Sequence, residues 1–269
     1  MAIEGVFPAA ATPADAGRVI RRRSGFYFGA SIALLLSVLI GFAPTLYLRA
    51  LFPGRPIGGH LYVHGAILTG WFVWLVVQTS LVRTGRTIAH RRMGIVGAIL
   101  GFAVMFAGLL ATLNVVHGIR AAGITLDMDI SALRTPGLGS DLTIGAFLSP
   151  IIWLNLASIL AFAILFITAL VQRGRPEAHK RLMLLASICI VGPALARVAR
   201  WPVFGGEQGP FVPVVITLSL VAMVVNDLRS TGRANRVTLA GIGFIVLAAL
   251  CALSIGNSQF GQAFVRELQ

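Results

Sequence analysis

One phrase occurs twice in this chain: Thr-x-Leu-Val-x-x-Gly-Arg-x-x-Ala-His-Arg-Arg-Met from Thr79 to Met93 returns as Thr-x-Leu-Val-x-x-Gly-Arg-x-x-Ala-His-Lys-Arg-Leu from Thr168 to Leu182. Each copy joins two long apolar runs, so the chain reads as duplicated helical hairpins. A reduced third copy, Gly232-Arg233 followed by Arg236, joins the last two runs and lacks the histidine. With 57% hydrophobic and 12% charged residues and a mean hydropathy of +0.88, the composition lies outside the range of ordinary soluble domains. The lipid bilayer is the solvent that such a chain requires.

A helix needs roughly 20 apolar residues to cross the hydrocarbon core. Seven stretches meet that length, near Gly25–Tyr47, Leu61–Val82, Met93–Val116, Thr143–Val171, Leu182–Val198, Pro210–Leu228 and Val237–Gly256. The predicted fold is therefore all-α: a polytopic membrane protein of seven transmembrane helices. Hairpins 2–3 and 4–5 repeat in parallel, and 6–7 forms a weaker third copy. Residues 1–24 read as a cytoplasmic disordered basic tail, 25–260 as one transmembrane domain and 261–269 as an outer C-terminal tail.

The net charge of +13 does not indicate nucleic acid, because the basic residues bracket the spans. Fifteen of the 22 Lys and Arg fall on one side when the N-terminus is placed inside. By the positive-inside rule this predicts a cytoplasmic N-terminus and a periplasmic or extracellular C-terminus. The first span is too long for the apolar core of a signal peptide and is expected to be retained. Cys189 and Cys251 lie inside spans and imply no disulfide framework.

An ionisable group in a span costs about 2.5–3.5 kcal/mol on insertion scales, so each is a functional candidate. His60 and His64 share a face at the outer end of helix 2. Asn114 and His117 share one on helix 3, and Arg197 and Arg200 on helix 5, just after Gly192-Pro193. Asn155 lies deeper in helix 4. If helices 2, 3 and 5 are neighbours, three imidazoles and two guanidiniums meet near the outer face.

Such a set suits a haem b, with His64 and His117 as axial ligands and the arginines on its propionates. The imidazoles equally suit Zn or Cu, with Asp127, Asp129 or Glu207 as a further ligand. The same residues also suit headgroup-level histidines, snorkelling arginines and interhelical hydrogen bonds. His90 and His179, paired on the cytoplasmic rim amid Arg91, Arg92, Lys180 and Arg181, suit either lipid phosphate or an inner haem. Trp71, Phe72, Trp74 and Phe102 read as packing or interfacial aromatics.

The only lysine, Lys180, lies in a predicted loop, which excludes a retinal Schiff base. No carboxylate sits at a span centre, and no P-loop, Rossmann fingerprint or catalytic triad phrase is present.

His64-Gly65, Gln78, Arg86, His90-Arg91-Arg92-Met93-Gly94 and His179-Lys180-Arg181-Leu182-Met183 resemble an uncharacterised bacterial multi-pass membrane family. That family is loosely similar to transmembrane b-type cytochromes of the ascorbate and ferric reductase type. The resemblance covers helices 2 to 5. It implies a location in the bacterial inner membrane and haems ligated by histidines on consecutive helices, with His90 and His179 as the inner pair and His64 as an outer ligand. Trp153 stands where the repeat aligns helix 4 with His64, so either His117 substitutes or the outer haem is absent. Together these readings predict a membrane redox protein exchanging electrons with a quinone or a periplasmic redox protein. The alternatives are a non-haem metal or lipid-binding protein, or a structural subunit of a larger complex; membrane lipids are partners in every case, and oligomerisation is open.

Overall fold

The computed structural model describes residues 13–52, 57–133, 142–201, 203 and 210–268. Among them helix dominates and no strand occurs, only an isolated bridge between Asp129 and Thr143. Ten α-helices follow in order: α1 Pro13–Phe42, α2 Gly59–Arg83, α3 Thr87–Leu113, α4 Val115–Ala121, α5 Ile144–Val171, α6 Pro176–Cys189, α7 Gly192–Ala199, α8 Phe211–Thr231, α9 Arg236–Gly256 and α10 Gln259–Glu267. Six segments are long and apolar enough to cross a membrane, and α6 with α7 forms a seventh that is bent by 46°. The chain is an all-α, multi-pass membrane protein.

The two copies of the repeated phrase build equivalent turns by different means. In the first, Gly85 adopts a left-handed φ of 76°, which glycine takes without a Cβ clash. In the second, Pro176 opens α6 and keeps Arg175 out of the helical conformation, at φ −115° and ψ 86°, since the α region is disfavoured before a proline. Both turns deliver the histidine identically. The amide of His90 donates to the Arg86 carbonyl and that of His179 to the Arg175 carbonyl, each at 3.0 Å. Each histidine thus lies in the first turn of its helix, inside α3 and α6 rather than ahead of them.

α5 is the hub, packed against α3, α6, α9 and α10, while α2 sits between α1 and α3. Trp71 of α2 is fully enclosed, its ring edge-on to Phe162 and Phe166 of α5 at 5.2 and 5.5 Å. Its indole N–H donates to the Ser187 hydroxyl of α6 at 3.2 Å, satisfying the polar tip that burial of a tryptophan brings with it. Outward, Ile95, Ile99 and Phe106 of α3 are each about two-thirds exposed. A contiguous surface of this kind is stable only against lipid.

Three expectations are corrected. The predicted tail boundary at residue 24 falls inside α1, which begins at Pro13; residues 1–12 lie outside the described residues. The predicted fifth helix breaks after Cys189 because Pro193 lacks the N–H that would continue the ladder, and α7 turns to pack on α1 and α8. The predicted C-terminal tail is the helix α10. Ser258 caps it, Val265 is fully buried, and Phe264 lies 5.1 Å from the Trp153 ring of α5. Trp153, at the repeat position of His64, donates its N–H to the Gly261 carbonyl at 3.2 Å. Its side chain ties down the C-terminal helix, which explains why the second repeat carries no histidine there. The outer-loop residues Pro53, Gly54, Pro56, Pro136, Gly137, Asp141, Pro202, Gly205, Gly206 and Glu207 lie outside the described residues.

Candidate functional site

Two polar constellations stand at opposite ends of the bundle. The first is at the end where the repeated loops carry their arginines. His90 on α3 and His179 on α6 bring their rings to 6.3 Å between centroids, with planes 75° apart. The Nδ1 of His179 lies 2.9 Å from the Ala169 carbonyl of α5. A carbonyl only accepts, so Nδ1 carries the proton and the lone pair of Nε2 is left free. Metal-ligating histidines are oriented in just this way. His90 faces the Gln78 carbonyl, and its Nδ1 has no hydrogen-bond partner.

Around this pair the polar accounting does not close. The indole nitrogen of Trp74 and both amide atoms of Gln78 are buried and unpartnered, as is His90 Nδ1. Trp74 and Gln78 are one turn apart on α2, so they and His90 leave four unsatisfied atoms in one region. A buried polar atom without a partner costs about 1–3 kcal/mol, and a concentration of them indicates a missing ligand or bound water. Gln78 entered the sequence reading only as part of a motif, and Trp74 only as packing. The signal that could have found them was their i, i+4 spacing on the span preceding the first histidine loop. Arg86, Arg91, Arg92 and Arg175 are exposed at the same end.

The second constellation is a cavity of about 270 Å³ at the far end, walled by the end of α1 and by α2, α3, α5 and α7. His64, Asn155 and Arg197 line it together with mainly apolar side chains. His64 Nδ1 lies 3.1 Å from the Ala107 carbonyl of α3, which again leaves Nε2 as a free acceptor. Arg197 donates to the Pro193 carbonyl at 3.0 Å and stacks over the Phe42 ring at 4.3 Å.

The expected outer cluster is only partly brought together. Asn155, read as lying deeper in its helix, joins His64 and Arg197, whereas His60, Asn114, His117 and Arg200 are exposed and absent from the cavity wall. The reason for His117 is local. The helix breaks at Asn114, whose amide bonds back to the Leu110 carbonyl at 2.8 Å, and His117 continues on the separate α4. Arg200 follows the turned-away α7. Among the described residues no three of His, Cys, Asp or Glu gather to hold a metal ion. Asp127 and Asp129 are exposed. Hydrogen bonds from the Ser131 side chain and from its amide, the latter at 2.7 Å, hold the Asp129 carboxyl below the usual aspartate range. Glu207 lies outside the described residues.

No family model matches the chain, and no curated protein or solved structure matches it either. The reading of these sites therefore rests on their geometry.

A third polar group was not anticipated. Arg181, expected among the headgroup-level cations, is 1% exposed. Its Nε and Nη2 donate to one oxygen of Asp227 on α8 at 3.1 and 2.6 Å. The other Asp227 oxygen accepts from the Asn235 amide at 3.2 Å and from the Thr238 hydroxyl of α9. Every strong donor has an acceptor here, so this is a closed structural clamp with no capacity left for a ligand. Its sequence signal was present: opposite charges at one depth, Arg181 just ahead of one predicted span and Asp227 at the inner end of another.

A haem b can be tested against each histidine site. His90 and His179, with ring centroids 6.3 Å apart, would hold a haem between them and so supply one-electron chemistry. His179, its Nδ1 committed to the Ala169 carbonyl, keeps the ligating Nε2 free. At the far end His64 has no second imidazole in the wall. That cavity also falls below the roughly 300–1,000 Å³ of sites that enclose drug-sized ligands, so it is too small for a porphyrin.

Proposed function

We propose that the protein is a membrane redox protein that holds one haem b between His90 and His179, at the end of the bundle predicted to face the cytoplasm. The observation that carries this reading is the meeting of the two repeat-equivalent imidazoles, from α3 and α6, at 6.3 Å between ring centroids. The unpartnered Trp74 and Gln78 atoms beside His90 supply polar contacts that a bound group would satisfy. The exposed arginines of the two loops offer partners for propionates. The expected ligand pair His64 and His117 is replaced in this reading by the inner pair.

When bound, haem supplies one-electron exchange. The chain's own contribution is positional. The Ala169 carbonyl holds the His179 proton on Nδ1 and so leaves the Nε2 lone pair free. The short repeat turns fix both rings at one depth.

The test is the visible spectrum of the purified full-length protein, oxidised and then dithionite-reduced. A low-spin b-type spectrum at one haem per chain is expected. His90→Ala and His179→Ala each abolish it while the protein still elutes as a monodisperse species, and His64→Ala and His117→Ala retain it. Protein that has no such spectrum after expression with ample haem, or a spectrum unchanged in both His90→Ala and His179→Ala, overturns the reading.

A further inference from the structure

The far-end cavity takes no part in holding the haem, yet it has a defined chemistry. One acceptor is free, the Nε2 lone pair of His64, because Nδ1 is committed to the Ala107 carbonyl. Among the described residues of the wall one cation is present, Arg197, and no carboxylate stands beside it. Asn155 adds an amide that both donates and accepts, and most of the remaining wall is hydrocarbon.

Beside the cavity runs a groove of about 430 Å³ between α3 and α5, lined only by apolar side chains that include Phe102, Phe106, Leu109 and Leu160. Those four are 40–66% exposed on the lipid-facing surface. Met105 and Ile159 belong to both walls, so the mainly apolar chamber, with His64, Asn155 and Arg197 as its polar groups, adjoins the apolar groove.

These features select a ligand class. A cation is repelled by Arg197. A phospholipid headgroup offers phosphate oxygens to the arginine, but its phosphodiester carries no proton for His64, and its two acyl chains exceed one groove. A water-soluble acid leaves the hydrocarbon wall and the groove unused. A small ring with a hydroxyl at one edge, a second oxygen across the ring and a long hydrocarbon tail meets every requirement.

We propose that the cavity and groove bind a lipid-soluble quinol, with the ring in the chamber, a ring hydroxyl donating to His64 Nε2, the second ring oxygen accepting from Arg197, and the tail along α3 and α5. This names the electron partner of the redox reading and rests on that reading for what the bound quinol does. Binding itself stands on the cavity alone and is measured separately.

The probes are a decyl-tailed benzoquinol, its tail-less counterpart and its dimethyl ether, titrated anaerobically by calorimetry into the full-length protein in phosphatidylcholine nanodiscs. One equivalent of the tailed quinol binds. The dimethyl ether, which has no hydroxyl donor, binds about tenfold more weakly, and His64→Leu weakens the quinol by a similar factor, the loss of one buried hydrogen bond. Leu160→Trp, on the lipid side where folding tolerates a larger apolar group, weakens the tailed quinol and leaves the tail-less one unchanged.

Absence of quinol binding by the intact protein, equal affinity for quinol and ether, or displacement of the quinol by phosphatidylglycerol but not by excess tail-less quinol overturns the proposal. His90→Ala is expected to bind quinol as the intact protein does. A missing haem spectrum with quinol binding intact therefore removes the redox reading alone, and an intact spectrum without quinol binding removes this proposal alone.

Discussion

Asp227 offers the sharpest measurement of what holds the bundle together. Its side chain and that of Arg181 are each 1% exposed, and the carboxylate on α8 is the common acceptor for α6, the α8–α9 turn and α9. Asp227→Ala strands a buried guanidinium that loses two of its bonds, at 3.1 and 2.6 Å. Arg181 does keep Glu177, whose Oε2 and backbone carbonyl both lie 2.6 Å from Nη1, so the charge is not left wholly unpaired. Breaking a buried pair costs about 3–5 kcal/mol, and the residual Glu177 contacts place this case at the lower end, about 3 kcal/mol. The Asn235 amide and Thr238 hydroxyl lose their acceptor as well, adding about 1 kcal/mol each.

The expected loss is thus about 4–5 kcal/mol, read as a shift in the unfolding midpoint in mixed micelles titrated with SDS. Arg181→Met combined with Asp227→Leu removes both charges together, and replacement of a buried pair by apolar groups is often neutral. The double variant is expected to recover most of the loss seen in Asp227→Ala. Two results refute the reasoning: Asp227→Ala within about 1 kcal/mol of the parent, or a double variant no more stable than the single one. Either would mean that the clamp is wet or that its partners rearrange at little cost.

The remaining predictions concern close packing. A Cβ on Gly41 of α1 would meet the Ala194 carbonyl of α7, and backbone has no rotamer with which to retreat. Gly41→Val is expected to cost about 2–3 kcal/mol in the same SDS titration and to weaken quinol binding, since Phe42 and Arg197 on the two separated helices both line the cavity; unchanged stability would show that α1 and α7 do not meet there. Val265→Asp places a carboxylate in the fully buried seat of α10 and is expected to release that helix at a cost of about 3 kcal/mol. Limited proteolysis near Asn257 reports the release, and resistance equal to the parent would place α10 elsewhere.

How much of this was legible depends on which physical signal each feature leaves in a chain dissolved in lipid. The hairpins were legible because the repeated phrase is contiguous and its turn chemistry, Gly85 in one copy and Pro176 in the other, is local. The common depth of His90 and His179 followed from the same register. The faces of the helices were not legible. In water a helix marks its buried side by a stripe of apolar residues against a polar one, but a span that packs on protein with one side and lipid with the other is apolar on both. Nothing in the hydropathy of α3 separates Val104, which is buried, from Phe106, which is two-thirds exposed. The rotation that takes His117 away from His64 and the bend that carries Arg200 outward were therefore hidden. Polar residues are the exception, because hydrocarbon forces them toward partners, and that exception had more to yield than the histidines alone. Asp227 lay at the inner end of one predicted span and Arg181 at the same depth just ahead of another, where burial demands that each find an opposite charge. Reading the spans for compensating charges before reading them for ligands would have fixed α6 against α8, and with it the face of α6 that turns His179 toward His90.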